Sequence, residues 1–130
     1  RNLMKANPVS WFEIYVEDMP RAKAFYEAVF DGKLTELSAP DSTDNTHMLA
    51  FSDDMNAYGA TGALVKMEGC TAGGNSVLVY FNCEDCAVEA TRVVPNGGSI
   101  VKEKFAIGEY GHIALVKDTE GNMVGLHSMQ

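Results

Sequence analysis

The sequence contains the same order of local signals twice, at a fixed spacing. Asp18 and Asp85 each follow a stretch rich in β-branched and aromatic residues, each precedes an apolar pattern of helical period, and they lie 67 positions apart. Asp is favoured at a helix start because its carboxylate accepts hydrogen bonds from free backbone N–H groups of the first turn. Gly32 and Gly98 then end the two helical patterns. The repeat therefore predicts two tandem modules of one topology.

Each module is predicted to contain one strand, one helix and three further strands. In module one, about 9–67, the strand covers 9–16, a helix follows with its apolar stripe at Ala22, Phe25, Tyr26, Val29 and Phe30, and strands follow at about 33–37, 47–51 and 63–67, with a polar loop at 38–46. In module two, about 77–128, the strand covers 77–83, the helix 87–94 and the remaining strands 99–103, 112–116 and 123–128, with a turn at 118–121. The helix covers one face of each sheet and leaves the other open. The expected fold is α+β: one domain in which two β-α-β-β-β modules form a cleft between curved mixed sheets, the natural place for a ligand.

Composition narrows the classes of partner. The chain has 130 residues, 46% of them hydrophobic and 22% charged, and its formal net charge is −8. This charge repels phosphate backbones and anionic lipid headgroups, so neither nucleic acid nor a membrane surface is an expected partner. No apolar run approaches the roughly 20 residues of a spanning helix. Cationic small molecules would be attracted instead.

The cysteines favour a reducing compartment. There are three, an odd number without the density of a disulfide framework, and this indicates a cytoplasmic protein. Cys83 and Cys86 form a lone C-x-x-C, and a zinc site would need a second ligand pair that the sequence does not supply. We interpret the two as ordinary small residues at a strand-to-helix junction.

The motifs resemble those of the vicinal oxygen chelate superfamily, which includes lactoylglutathione lyase (glyoxalase), extradiol dioxygenases and bleomycin-resistance proteins. The resemblance covers about 9–128 and rests on residues 11–19 (WFEIYVEDM), 24–26 (AFY), 62–64 (GAL), 118–122 (DTEGN) and 125–126 (GL). It implies the paired-module fold, a small-molecule ligand and, by analogy with other members, a homodimer. It does not imply one activity, because members perform different chemistry on one scaffold.

The resemblance also identifies where metal-using members hold their ion. These members place His, Glu or Gln on the first and last strand of each module. Here the corresponding positions are Trp11 and Leu78 on the first strands, Gly125 on the last strand of module two and a position near 62–64 in module one. These side chains lack the N or O donors that a divalent ion requires. We therefore expect no metal at the family positions and predict no other cofactor.

Alternation along the strands predicts the cleft lining. Phe12, Ile14 and Val16 are uniformly apolar, so we expect this set beneath the helix and the alternate set in the cleft. The same parity, applied to module two, completes the predicted ligand-binding set of Trp11, Glu13, Tyr15, Leu78, Tyr80, Asn82 and His127. Aromatic walls around a carboxylate suit an organic ligand with a flat or cationic part. His47 is expected to be exposed, and the pattern leaves the face of His112 open.

Two classes of function remain open. The first is a metal-free binder of a small organic molecule, as in drug-sequestering members. The second is an enzyme of lyase, isomerase or dioxygenase type. Its catalytic residues would be Glu13, with a pKa raised by burial, as the base and His127 as the acid; alternatively, a shifted metal site would use these two with His112.

Overall fold

The computed structural model describes residues 7–37, 46–73, 77–117, 119 and 122–130. The contacts between residues divide the chain into two compact units. One consists of Trp11–Val77, and the other of Leu78–Gln130 together with the residues up to Ser10. The boundary lies close to that between the two modules: the first two residues of the first strand belong to the second unit, and Val77, with which module two begins, belongs to the first. The predicted loop at 38–46 and turn at 118–121 lie outside the described residues, apart from Thr46 and Thr119.

Module one contains four strands and one helix. In chain order they are β1 (Val9–Tyr15), α1 (Met19–Phe30), β2 (Thr35–Leu37), β3 (Thr46–Ala50) and β4 (Thr61–Met67). The order of the strands in the sheet is β2-β3-β4-β1. The first and last strands, β1 and β4, pair in parallel, and the β2–β3 and β3–β4 pairs are antiparallel.

Module two repeats this arrangement. Its elements are β5 (Val77–Asn82), α2 (Cys86–Thr91), β6 (Ser99–Ala106), β7 (His112–Lys117) and β8 (Met123–Ser128), with short 3-10 turns at Val94–Asn96 and Gly108–Tyr110. The strand order is β5-β8-β7-β6, again with the first and last strands parallel and the other pairs antiparallel. The two β-α-β-β-β modules predicted from the sequence, and the α+β class, are confirmed.

The helices begin where the repeated acidic residues predicted. The Asp18 side chain accepts a hydrogen bond from the backbone N–H of Arg21, and the Asp85 side chain accepts one from Ala87. α1 ends at Phe30 and is capped by Asp31, whose φ of 53° and ψ of 51° place it in the left-handed region. The predicted stop is therefore confirmed, although Asp31 and not Gly32 adopts the left-handed conformation. Asp tolerates this conformation better than most residues with a side chain.

Each helix packs on one face of its own sheet. Val16, Leu49 and Leu64 form a core with Met19 at the start of α1, and Ile14 packs against it. In module two, Ala114, Val116 and Leu126 pack against Cys86 and Ala90 of α2, and the side chains of Phe81 and Cys83 join them. The even-numbered positions of β1 and the odd-numbered positions of β5 thus face the helices, as their apolar alternation predicted.

Other features of the helices differ from the prediction. Only Ala22 and Tyr26 of the predicted apolar stripe pack against the core of module one, whereas Phe25, Val29 and Phe30 are exposed by 58%, 56% and 69%. α2 ends at Thr91 and not at 94, and a separate 3-10 turn that contains Pro95 follows it.

Two of the strands also differ in extent. β2 begins at Thr35 and not at 33, since the backbone N–H of Leu34 donates to the Glu27 side chain at 2.8 Å. β6 continues to Ala106, beyond the predicted end at 103, and the register of its pairing with β7 shifts on either side of Lys102.

Candidate functional site

The face of β1 opposite α1 carries a hydrogen-bonded cluster of three side chains. Trp11 donates from Nε1 to Oε2 of Glu13 at 3.2 Å, and the Tyr15 hydroxyl donates to Oε1 of the same carboxylate at 2.7 Å. The residues alternate along one strand, so their side chains emerge on the same face. All three are half-buried. We call this group the Trp11–Glu13–Tyr15 cluster; it places one carboxylate between two aromatic side chains that remain partly accessible.

Each carboxylate oxygen of Glu13 accepts a hydrogen bond from one of the two aromatic side chains. Strand pairing places small residues beside Glu13. It pairs with Ala63 of β4, which in turn pairs with Ala50 of β3. Both alanines are buried, Ala63 completely. The cluster thus combines negative charge with flat apolar surface, the chemistry that attracts an organic cation.

On the corresponding face of module two, the side chain of Tyr80 covers Gly125. Tyr80 and Gly125 are parallel register partners, and the Tyr80 ring lies directly over the glycine. A Cβ added at Gly125 would come within 2.2 Å of the ring atom Cδ1 and 2.3 Å of Cε1. The ring is only 7% exposed. Tyr80 therefore occupies the space that any side chain at position 125 would need.

His127 lies on the same face of β8, two residues after Gly125. It is the partner of Asn82, and its Nε2 lies 2.6 Å from the backbone carbonyl oxygen of Tyr110. His127 is half-buried, Asn82 is exposed and Leu78, further along β5, is 5% exposed. The alternation of β5 and β8 predicted that these side chains share a face. The role of Tyr110 was not predicted, because a backbone carbonyl has no signature in the sequence.

The other two histidines lie elsewhere. His112 shares its face of β7 with Ala114 and Val116, which pack against α2, so it lies on the side opposite His127. Two side chains on opposite faces of a sheet cannot bind the same ion. The predicted shifted metal site, which combined His127 with His112, is therefore wrong in using His112. His47 is exposed, as expected, and its Nε2 lies 3.0 Å from Glu36 on the neighbouring strand.

The side chains at the family's metal positions make other contacts. The Trp11 nitrogen is used as a donor to Glu13, Leu78 is a buried hydrocarbon, and Gly125 lies under the Tyr80 ring. Across the described ranges, no three His, Cys, Asp or Glu side chains lie close enough together to hold a metal ion. The Trp11 indole, the Leu78 hydrocarbon and Gly125 offer no lone pair at these three positions that the resemblance assigns to a metal.

The C-x-x-C pair lies in the core of module two. Burial is the main reason that the pKa of the Cys83 thiol rises to about 11, with the nearby Glu89 carboxylate adding to it. Cys86 is fully buried at the start of α2, where its backbone N–H donates to the Ser128 hydroxyl at 2.9 Å. A thiol with a raised pKa is a poor nucleophile at neutral pH, which agrees with the structural interpretation of this pair.

Neither helix among the described residues has the length and apolar character that crossing a bilayer requires.

Two curated relatives, from Mycobacterium bovis and Mycobacterium tuberculosis, both carry the name "Putative glyoxylase CFP32". Each is 26% identical to this chain over 119 residues, which is 90% of this chain but 44% of the relative. The chain thus spans less than half the length of these relatives.

Solved structures share the fold at low sequence identity. Methylmalonyl-CoA epimerase from Mycobacterium tuberculosis superposes with a TM-score of 0.69 at 14% identity, covering 98% of this chain and 94% of the epimerase. A hypothetical protein from Bacillus halodurans gives a TM-score of 0.71 at 12% identity, covering 97% of this chain and 96% of that protein. The sequence model of one family matches residues 9–126, nearly the whole chain. The chain therefore belongs to the Glyoxalase/Bleomycin resistance protein/Dioxygenase superfamily.

Proposed function

We propose that this chain binds a small organic molecule with an aromatic and cationic part, and that the ligand contacts the Trp11–Glu13–Tyr15 cluster. The observation that carries the proposal is the pair of hydrogen bonds that holds the Glu13 carboxylate between two partly exposed aromatic side chains. An ammonium or pyridinium group placed there meets the negative faces of the rings and the carboxylate together. The net charge of −8 raises the local concentration of such ligands.

The binding is proposed to need no metal at the family positions. A ligand at this cluster would be recognised by charge and ring stacking, since the indole of Trp11 donates a hydrogen bond and offers no lone pair. The same contacts favour a role for Glu13 as a counter-ion over that of a base. Both of its oxygens already accept hydrogen bonds from the two aromatic side chains.

Fluorescence of Trp11 tests the proposal directly, because it is the only tryptophan of the chain. The probe is N-benzylpyridinium, a cationic aromatic quencher, and its neutral analogue 3-benzylpyridine at pH 8 is the comparison. We expect saturable quenching that is stronger for the cation. The absence of saturable quenching by this cation and by a wider panel of cationic aromatics would contradict the proposed function.

Two matched variants distinguish the effect of the Glu13 charge from the effect of the net negative charge of the chain. Glu13→Gln removes the charge within the cluster, and Glu36→Gln removes an exposed charge of the same module that pairs with His47. The first variant should weaken binding of the cation by up to about fivefold, because an ion pair with a partly exposed carboxylate contributes up to about 1 kcal/mol. The second should change it by less than about twofold. Equal effects would show that net charge alone attracts the probe.

A further inference from the structure

We propose that His127 is a hydrogen-bond acceptor for a ligand with an N–H or O–H group, and that the turn at residues 107–111 fixes this role through the carbonyl of Tyr110. The ligand class rests on the proposed function, whereas the state of the imidazole ring does not. As a general acid, His127 would donate a proton. In the role proposed here, the neutral ring accepts a hydrogen bond.

The contact with Tyr110 determines the tautomer of the neutral ring. A backbone carbonyl oxygen only accepts hydrogen bonds, so Nε2 of His127, 2.6 Å away, must carry the hydrogen. The lone pair of the neutral imidazole then lies on Nδ1. A hydrogen bond from one ring nitrogen to a carbonyl also fixes the orientation of the ring.

The lone pair of Nδ1 is accessible. Among the described residues, Nδ1 of His127 has no hydrogen-bond partner, and it is not one of the buried unpartnered polar atoms. Nδ1 of His112, on the α2 face, is such a buried atom and provides a contrast within the same module. His127 therefore presents an acceptor on the face that also carries Tyr80 and Asn82.

The turn that supplies the carbonyl is held closely against the end of β8. Gly108 and Gly111 have φ values of 68° and 99°, and the backbone N–H of Ile107 donates to the Gly111 carbonyl at 2.8 Å. A Cβ added at Gly111 would come within 2.4 Å of the backbone oxygen of Ser128 and 3.0 Å of Cα of Met129. Glycine is required here for conformation and for space. The two glycines thus set the position of the Tyr110 carbonyl relative to His127.

The acceptor selects one class among organic cations. A primary ammonium group donates to Nδ1, while a quaternary ammonium group of similar size and charge has no N–H to donate. Together with the acidic charge of the chain, this favours protonated primary amines that carry an aromatic group. We expect the site to discriminate between amines that differ only in methylation of the nitrogen.

Nitrogen NMR of the imidazole rings tests the tautomer in the free protein. At a pH where His127 is neutral, with its signals assigned from His127→Gln, Nε2 should show the resonance of a protonated nitrogen and Nδ1 that of an unprotonated one. Gly111→Ala should convert this single tautomer into a mixture, whereas Gly59→Ala should not. Gly59 is the matched control because its φ is 89° but nothing lies within 4 Å of an added Cβ. Protonation of Nδ1 in the wild-type protein would overturn the proposal whether or not the variants fold.

Titration with benzylammonium and benzyltrimethylammonium tests the ligand class. The first probe should shift the Nδ1 resonance of His127 saturably and leave His112 unchanged, and the second should bind at least fivefold more weakly at this site. Equal shifts, or no shift with either probe, would overturn the acceptor role. These results are distinguishable from a failure of the proposed function, because quenching of Trp11 reports on the other cluster.

Discussion

The contact between Tyr80 and Gly125 makes a prediction about stability that bears on the metal question. In Gly125→Ala, the new Cβ would lie 2.2 Å from the ring, against the 3.4–4 Å of ordinary van der Waals contact, so the ring must move by more than 1 Å. The ring is 7% exposed and cannot move without disturbing its neighbours. Overpacking of this kind costs about 1–3 kcal/mol. We expect a loss of about 2 kcal/mol, or a decrease in Tm of roughly 6–12 °C for a chain of this size.

Urea denaturation followed by circular dichroism measures this loss, and a double-mutant cycle assigns it to the ring. In a Tyr80→Val background the ring atoms are absent and the strand propensity is kept, so adding Gly125→Ala should cost nothing or stabilise slightly. The coupling energy between the two positions should therefore be about 1–3 kcal/mol. Gly32→Ala is the control, because an added Cβ there meets only an oxygen at 3.9 Å.

A coupling energy near zero would refute the reasoning, as would a Gly125→Ala variant as stable as the wild-type protein. Either result would mean that the Tyr80 ring leaves position 125 free. A donor side chain such as Glu could then be introduced there at no cost in stability, and the Tyr80 ring would not exclude a metal ligand from position 125.

Two further predictions concern titratable groups of module two. Hydrogen bonds from Lys104 and from the backbone of Ala87 lower the pKa of Asp85 below its ordinary value of 3.8, so its ionised form stabilises the fold above that value and the contribution disappears as the pH falls below it. Wild-type protein should therefore exceed Asp85→Asn in stability at pH 7, with the difference vanishing under acid denaturation; a constant difference would contradict this assignment. With a pKa of about 11, roughly one Cys83 thiol in a thousand is ionised at pH 8. Alkylation by iodoacetamide, followed by peptide mass spectrometry, should be much slower at Cys83 than at Cys70, and equal rates would contradict the burial of its thiol.

Much of the candidate site was predictable because its signals are local. The alternation of β1 placed Trp11, Glu13 and Tyr15 on one face, and the acidic residues at 18 and 85 predicted the start of each helix. These features depend on the period of a strand and on the first turn of a helix, which involve neighbours in sequence. The shared face of Tyr80, Asn82 and His127 follows from the same rule.

The tertiary structure decided what depends on residues distant in sequence. Strand register brought the Tyr80 ring over Gly125, and the 107–111 turn brought the Tyr110 carbonyl to His127. The face of His112 was undetermined because its own strand pattern is ambiguous, and only packing against α2 resolved it. The sequence by itself thus determined the order of strands and helix along each module and the side chains on each face of β1 and β5, since these follow from local periodicity. Which atoms meet, and therefore which nitrogen of His127 accepts and which position has no room for a side chain, depended on pairing between strands and turns that no local pattern encodes.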